Sequence, residues 1–268
     1  MVAADLHVHT TNSDGTLELA EVPAAARRAG LDAVAVTDHD RLHPGIDRPV
    51  AERDGVTLVH GIELRVESDA GRVDLLGYGA RPTDALTETV DRVQRDRVER
   101  GRAIIDAVEA HLGHEIPVEP ERGIGRPDIA RAVVASAPSY DDLGSVFDDL
   151  IGEDGPCYVR RRIPSFERAR EVLGEACAVV GLAHPLRYPD PESALALTAD
   201  LDAVEVHYPY HGSRGHTATG PLDIEDVAAV ADEHDLLVTG GSDAHERDLG
   251  ETGLSAGEYE RFAAALDR

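Results

Sequence analysis

Residues 2–15, VAADLHVHTTNSDG, contain the pattern that decides the fold: a short apolar run followed at once by potential metal ligands. Residues 2–6 have the length and apolar character of a buried strand. His7 and His9 are two positions apart, which places both imidazoles on one face of an extended chain, and Asp14 lies in the loop after them. The stretch therefore predicts a strand whose end carries a group of ligands.

Six further apolar runs predict six more strands, and helix-like segments follow most of them. The runs are 32–36, 56–60, 73–78, 178–183, 202–206 and 236–239. The helical segments include 18–29, 165–176 with Ser165 as N-cap, and 221–234 with Pro221 in the first turn. Strands that alternate with helices indicate a parallel sheet, and seven of them indicate an α/β barrel that is closed or nearly closed.

The segment 82–164 interrupts this alternation. Helical patterns in it span 84–112, 127–136 and 141–151. We therefore predict two parts, a barrel domain formed by 1–81 and 165–268 and an inserted helical module over 82–164. We expect the module to contribute to substrate recognition.

Potential metal ligands recur where the predicted strands end. They are His7, His9, Asp14, His39, Glu63, His184, Asp243 and His245. Parallel strands of a barrel all point the same way, so their ends meet at one edge and these side chains are expected to come together there. Imidazole and carboxylate groups bind Zn²⁺, Mn²⁺ or Fe²⁺, and a carboxylate such as Glu63 can bridge two ions. The pattern predicts a divalent-metal site.

The charge composition excludes several kinds of chemistry. The chain has 52 acidic and 26 basic residues, and every basic residue is Arg, because no Lys occurs. A Schiff-base lysine, a P-loop lysine and a lysine general base are therefore excluded. The net charge of −26 repels polyanions, so we expect no stable binding of duplex nucleic acid. Such acidity without Lys is typical of a halophilic protein from a salt-accumulating organism.

The remaining composition predicts a cytoplasmic protein without a membrane anchor. Cys157 and Cys177 are spaced as neither a metal knuckle nor a redox pair, which is typical of packed thiols in a reducing compartment. The stretch MVAADLHVHT does not have the pattern of a signal peptide. No apolar run approaches the roughly 18 residues needed to span a bilayer.

Several motifs together resemble the PHP (polymerase and histidinol phosphatase) superfamily. They are HVHTTNSDGTLELAEVPAAARRAGLDAVAVTDHD at 7–40, GIE at 61–63, AHP at 183–185 and GGSDAH at 240–245. Further motifs resemble its stand-alone phosphoesterases, the subgroup of RNase AM and 3′,5′-nucleoside bisphosphate phosphatase. These are LLGYG at 75–79, GRPDIARAVV at 125–134, GPCYV at 155–159 and EVHYPYH at 205–211. The resemblance implies a distorted (β/α)7 barrel with a helical insertion.

The resemblance also implies two or three divalent metal ions (Mn²⁺, Zn²⁺ or Fe²⁺) and assigns their ligands. The first ion would be held by His7, His9, Glu63 and Asp243, the second by Glu63, Asp74 and His184, and the third by Asp14, His39 and His245. The family usually has His at position 74 and often at position 128, where this chain has Asp74 and Asp128. If Asp74 reaches the second ion, its negative charge favours a harder ion such as Mn²⁺ over Zn²⁺, and if it falls short, the second ion is expected to bind weakly. The alternative is an aspartate at a strand end that hydrogen-bonds a neighbouring loop.

The implied activity is hydrolysis of a phosphomonoester by a metal-activated hydroxide. The expected catalytic group consists of Glu63, Asp243, His39 and His245. The expected partner is a small phosphorylated substrate, either a 3′,5′-bisphosphate nucleotide or the 5′ end of a short oligonucleotide. Arg126 is the candidate for binding the phosphate, because guanidinium groups bind phosphate bidentately, with His211 as a second donor. A histidinol phosphate phosphatase and a catalytically silent metal-binding module remain alternatives, and the oligomeric state is open.

Overall fold

The computed structural model of the protein describes residues 1–121, 123–210 and 221–266. The chain divides into two compact units, Met1–Glu88 with Pro164–Arg268, and Thr89–Ile163. All strands of the described residues belong to the first unit, and the second unit is helical.

Eight strands of the described residues form one sheet. They are β1 (Ala4–Val8), β2 (Ala33–Val36), β3 (Val50–Arg53), β4 (Val56–Ser68), β5 (Gly71–Tyr78), β6 (Val179–Leu182), β7 (Ala203–His207) and β8 (Leu237–Gly240). Seven of them follow the order β1-β2-β4-β5-β6-β7-β8, and β3 pairs with β4. The sheet curls into a distorted α/β barrel, which confirms the predicted fold class, and all seven predicted strands are present.

The direction of β5 differs from the prediction of a parallel sheet. The pairs β4-β5 and β5-β6 are antiparallel, whereas β1-β2, β2-β4, β6-β7 and β7-β8 are parallel. The prediction that the third strand ends at residue 60 is also wrong, because β4 continues to Ser68 and turns directly into β5. Glu63 and Asp74 therefore lie within strands and not at their ends.

The prediction missed β3, although its connection to β4 carries a hairpin signal. Asp54 and Gly55 link the two strands, and their φ angles are 51° and 77°. An Asp-Gly pair with both φ angles positive is the sequence that a two-residue hairpin turn requires. The hairpin adds β3 to the sheet beside β4, the strand that carries Glu63.

Helices cover the predicted segments, over 84–112 with the predicted ends and elsewhere with shifted ends. They are α1 (Val22–Ala29), α2 (Asp84–Leu112), α3 (Arg126–Ser136), α4 (Leu143–Val146), α5 (Phe166–Ala176), α6 (Pro191–Ala196), α7 (Ile224–Glu233) and α8 (Ala256–Leu266), and a π-helical turn spans Phe147–Ile151. Ser165 caps α5 as predicted, since its hydroxyl accepts a hydrogen bond from the Arg168 N–H at 3.3 Å. No helix in the described parts is both long and apolar enough to cross a membrane.

The start of α7 corrects one prediction. Pro221 lies before the helix and not in its first turn. Asp223 is the N-cap, and its carboxylate accepts hydrogen bonds from the N–H groups of Glu225 and Asp226 at 2.9 and 3.2 Å. An aspartate side chain satisfies the free N–H groups of a first turn, so the helix begins after Asp223.

Side-chain alternation along β4 defines the face on which the site is built. Residues two apart on a strand share a face, so Val59, Glu63 and Arg65 point the same way. Val59 belongs to a buried apolar cluster with Tyr78 of β5 and Phe262 of α8, whose rings meet edge to face with centroids 5.1 Å apart. The same face becomes polar from Glu63 onward, above an apolar layer that holds the strands in place.

In the second unit, Asp128 has a local structural role. Its carboxylate accepts a hydrogen bond from the Gly125 N–H at 2.8 Å and another from Arg131 Nη2 at 2.7 Å. The bond from Gly125 closes the first turn of α3, because a side chain at this position satisfies an N–H group that the helix leaves free. Asp128 therefore caps α3.

Candidate active site

Four buried side chains at the ends of β1 and β8 and within β4 form the first group of potential ligands. The Nε2 atom of His7 lies 3.4 Å from Glu63 Oε2 and 3.5 Å from Asp243 Oδ1. The Nε2 atom of His9 lies 3.5 and 3.0 Å from the same two oxygens. All four residues are at most 3% exposed.

The donor set of this first group fits a divalent ion. None of its four facing atoms, the two Nε2 atoms, Glu63 Oε2 and Asp243 Oδ1, makes a hydrogen bond of normal geometry. Ligands at about 2.1 Å from one ion lie about 3.0–3.4 Å from each other, which matches the spacing of this group. Buried polar atoms without hydrogen bonds are costly, and a shared cation would satisfy all four.

The backbone around this group is tightly constrained. Asp243 has a φ of 49° and His184 a φ of 28°, both in the left-handed region. Such conformations cost free energy for residues with a Cβ and concentrate at functional sites. A Cβ at position 241 would lie 2.3 Å from the backbone nitrogen of His7, so only glycine lets the segment after β8 approach β1 this closely.

Glu205 of β7 orients two of the candidate ligands. It is fully buried, and its Oε1 lies 3.0 Å from His7 Nδ1. Its Oε2 accepts a hydrogen bond from the His184 backbone N–H at 2.8 Å. A carboxylate at Nδ1 fixes the ring and leaves Nε2 for a metal. Sequence reasoning missed Glu205, although it lies in the quoted motif EVHYPYH.

Asp243 is also held from outside the first group. Its Oδ2 accepts hydrogen bonds from the Tyr208 hydroxyl at 2.8 Å and from Arg187 Nη1 at 3.2 Å. Arg187 Nη1 also donates to the Tyr208 oxygen at 2.9 Å. Burial and the Asp243 charge raise the pKa of Tyr208, so its phenol stays a donor. These bonds turn Oδ1 of Asp243 toward the histidines.

The second group of potential ligands has different hydrogen-bond partners. Its members are Glu63, Asp74 and His184. His184 Nε2 lies 2.9 Å from Glu63 Oε1 and 3.8 Å from Asp74 Oδ2. Both oxygens of Asp74 accept hydrogen bonds from Arg65, from Nε at 2.7 Å and from Nη2. Asp74 thus comes near the predicted partners while an arginine that sequence reasoning did not single out holds its carboxylate.

The third group is open to solvent. Asp14 lies 3.7 Å from His39 Nε2 and 3.4 Å from His245 Nε2, and the structure adds His9 to this group. The side chains of Asp14, His39 and His245 are 53%, 23% and 35% exposed. The first group is buried, so the third group is the one that a dissolved substrate reaches first.

The Glu63 carboxylate is held in its charged form. Burial alone would raise the pKa of Glu63, but the His39 and His7 imidazoles outweigh it and hold that pKa well below its usual value. For His39, burial lowers the pKa, and the Glu63 carboxylate 2.7 Å away overcomes this and raises it to about 9. Glu63 therefore carries the negative charge that a divalent ion requires of a carboxylate ligand.

A cavity of about 660 Å³ opens onto these groups. It is lined by His39, Glu63, Arg65, Asp74, His184, Arg187, Asp243, His245, Glu246 and Asp248. Five of these residues are acidic and two are arginines, so a phosphate group entering the cavity meets an excess of negative charge. Bound cations would offset this charge and favour its binding.

Two predicted substrate-binding residues are not among the described cavity residues. Arg126 belongs to the second unit, where its Nη1 donates to the Ile151 carbonyl at 3.2 Å and its guanidinium lies 5.4 Å from the ring centre of Phe147. His211 lies outside the described residues. Their roles in substrate binding stay predictions.

The PHP domain family model matches residues 5–179. The chain belongs to the PHP family. A 3′,5′-nucleoside bisphosphate phosphatase of Chromobacterium violaceum is 30% identical over 94% of this chain and 92% of its own length. A 5′-3′ exoribonuclease of Salmonella typhimurium is 27% identical over 91% of this chain and 86% of its own. A structure from Bifidobacterium adolescentis, described as a metal-dependent phosphoesterase, has a TM-score of 0.76 and 25% identity, and the match covers 98% of this chain and 96% of that one.

These matches confirm the predicted family and class of reaction. The chain is a metal-dependent hydrolase of phosphoesters. The His, Asp and Glu groups of the site provide the donor atoms that this chemistry requires.

Proposed function

We propose that this PHP protein removes a phosphate from a 3′,5′-bisphosphate nucleotide or hydrolyses the 5′ end of a short oligonucleotide. The observation that carries the proposal is the buried set of ligand atoms without hydrogen bonds, two of whose residues, Glu63 and Asp243, line a cavity of about 660 Å³. Cavities of about 300–1,000 Å³ are typical of small-ligand sites. The names of the two relatives that match over most of this chain support a nucleotide or an RNA end as substrate.

The residues that would hold the first ion are His7, His9, Glu63 and Asp243, and the open third group would hold another. Bound Mn²⁺, Zn²⁺ or Fe²⁺ supplies a water activated near neutral pH and positive charge for the phosphate. Glu205 and Tyr208 keep two of these ligands oriented. Because the donor set mixes imidazoles and carboxylates, it suits each of the three metals.

Arg187 is the group that we assign to the phosphate itself. Its guanidinium lines the cavity beside Asp243, and its side chain is 35% exposed. A guanidinium presents several donors in a fixed fork that matches phosphate oxygens. With no Lys in the chain, arginines and bound ions provide the permanent positive charge for substrate binding.

A substrate panel tests the proposed function. The panel contains a 3′,5′-bisphosphate nucleotide, a short 5′-phosphorylated RNA, histidinol phosphate and a chromogenic aryl phosphate, each with Mn²⁺ and each after chelation. We expect turnover of a nucleotide or RNA substrate that chelation abolishes and added Mn²⁺ restores, since the acidic cavity needs cations. Full activity of the metal-stripped protein would contradict the proposal.

The same panel separates the alternatives. Preference for histidinol phosphate would favour the histidinol phosphatase, and bound metal without any turnover would favour the silent module.

Two arginine variants distinguish binding of the reacting phosphate from recognition of the rest of the substrate. Arg187→Gln is expected to raise KM for both the bisphosphate nucleotide and the aryl phosphate about 10- to 150-fold, because a charged hydrogen bond contributes about 1.5–3 kcal/mol. Arg126→Ala is expected to raise KM for the nucleotide and to spare the aryl phosphate. Steady-state kinetics on both substrates measure this difference. Equal losses for Arg126→Ala on both substrates would assign it to the reacting phosphate.

A further inference from the structure

Arg65 and Asp74 are paired by the register of the sheet. They are directly opposite each other in the antiparallel β4–β5 pair, so both side chains point to the same face. Arg65 also shares that face with Glu63, which is two residues earlier on β4. The ion pair is therefore built into the strand pairing and lies beside the first group of ligands.

This pair alters the second group of potential ligands. Both oxygens of Asp74 accept hydrogen bonds from Arg65, and the Asp74 side chain is 1% exposed. Glu63 and His184 are the remaining members of this group among the described residues, and Glu63 also belongs to the first group. Two ligands are fewer than the three or four protein ligands that usually hold such an ion.

The charge of Arg65 also disfavours a metal ion at the second group. Its guanidinium keeps its charge at any relevant pH, so it repels a divalent ion placed on the carboxylate that it binds. Its Nε and Nη2 contact Asp74, whereas Nη1 makes no hydrogen bond to the described residues. Arg65 lines the cavity with Arg187 and His184, and its side chain is 41% exposed.

We propose that the guanidinium of Arg65 takes the place of a metal ion at the second group. Arg65 neutralises Asp74, and its Nη1 offers a donor to a substrate phosphate oxygen in the cavity. The contact with phosphate rests on the proposed function, whereas the replacement of the ion does not. The chain then works with two divalent ions, one in the buried first group and one in the open third group.

The number of Mn²⁺ ions bound to the metal-stripped full chain tests this proposal. Native mass spectrometry and calorimetric titration are expected to show two ions for the wild type and three for Arg65→Gln, which frees the Asp74 carboxylate. Arg72→Gln is the matched control, because it removes one positive charge from the same strand pair at a position that faces Glu67. This control is expected to bind two ions. Three ions on the wild type, or two on Arg65→Gln, would overturn the replacement.

A second variant covers the case in which Arg65→Gln does not fold because it leaves a buried carboxylate unpaired. Arg65→Gln/Asp74→His carries no such charge and offers an imidazole with Glu63 and His184. It is expected to bind a third ion, with Zn²⁺ held more tightly than by the wild type. An unchanged count of two ions in this folded variant would overturn the proposal.

The contact with phosphate has its own readout. Calorimetry with inorganic phosphate, at Mn²⁺ levels that fill the first and third groups but leave the second group of Arg65→Gln empty, is expected to show at least about tenfold weaker binding to this variant. The decrease corresponds to the loss of one charged hydrogen bond. Equal phosphate affinity would remove Arg65 from substrate binding. If Arg65→Gln gains its ion and the wild type hydrolyses no panel substrate, the proposed function fails while the replacement of the ion stands.

Discussion

Glu63→Gln is expected to lower kcat/KM at least about 10³-fold and to release at least one bound ion. This decrease exceeds the 10- to 100-fold that is typical when a residue that only orients a metal ligand is removed. The two oxygens of Glu63 face different partners: Oε1 lies 2.9 Å from His184 Nε2, and Oε2 lies 2.7 Å from His39 Nδ1 and 3.4 Å from His7 Nε2. An amide keeps one oxygen and replaces the other with a donor, so it can neither offer an acceptor to both sets of partners nor neutralise the charge of a bound ion.

Metal analysis and steady-state kinetics of the same preparation measure both parts of this prediction. Glu67→Gln is the matched control, because Glu67 lies on the same strand, faces Arg72 across the β4–β5 pair and loses the same charge. The control should keep its ions and its activity. A full set of ions in Glu63→Gln would show that Glu63 is not a metal ligand. An equal loss of ions and activity in Glu67→Gln would show that the effect comes from removing any negative charge on this strand.

The first group of ligands was predictable because it depends on simple geometry. His7 and His9 follow one apolar run, and Asp243 follows another. Parallel strands end at the same edge of a sheet, and β1 and β8 are both parallel to their neighbours β2 and β7. Spacing along the chain was therefore enough to bring these residues together.

The reversed strand β5 could not be derived from hydrophobic runs, because a run indicates a strand but not its direction. The turn at residues 69–70, followed by Gly71 with a φ of 91°, joins β4 to β5 as a hairpin. A short loop of this kind requires antiparallel strands, since a parallel connection needs a dozen residues or more. Reading this turn as a hairpin would have placed Arg65 opposite Asp74.

The residues that orient the ligands were missed for another reason. Glu205 and Tyr208 contact candidate ligands that are 198 and 35 positions away in the chain. Their roles depend on which atom of a histidine or a carboxylate faces the site, and no spacing in the sequence encodes that choice. Three-dimensional contacts were needed to identify them.

Raising KCl from about 0.1 M to about 3 M is expected to raise the thermal unfolding midpoint by more than about 10 °C, with the Debye length falling from about 10 Å to below 3 Å. The net charge of −26 makes the folded chain repel itself when screening is weak. For a protein of this size each kcal/mol shifts the midpoint by about 2–4 °C, so the rise corresponds to roughly 3–5 kcal/mol. Calorimetric scans at several salt concentrations measure it.

Two controls assign this rise to the surface charge. Scans with saturating Mn²⁺ keep the acidic site neutralised, so that salt does not act through the ligand carboxylates. A variant with Gln in place of the exposed residues Glu99, Glu175 and Glu260 should unfold at a higher temperature in dilute salt and respond less to KCl, because it carries less charge to screen. The same slope for variant and wild type would attribute the effect to salt-strengthened apolar burial. If the unfolding midpoint of the wild type does not change with KCl, the acidic composition contributes to solubility and not to salt-dependent stability.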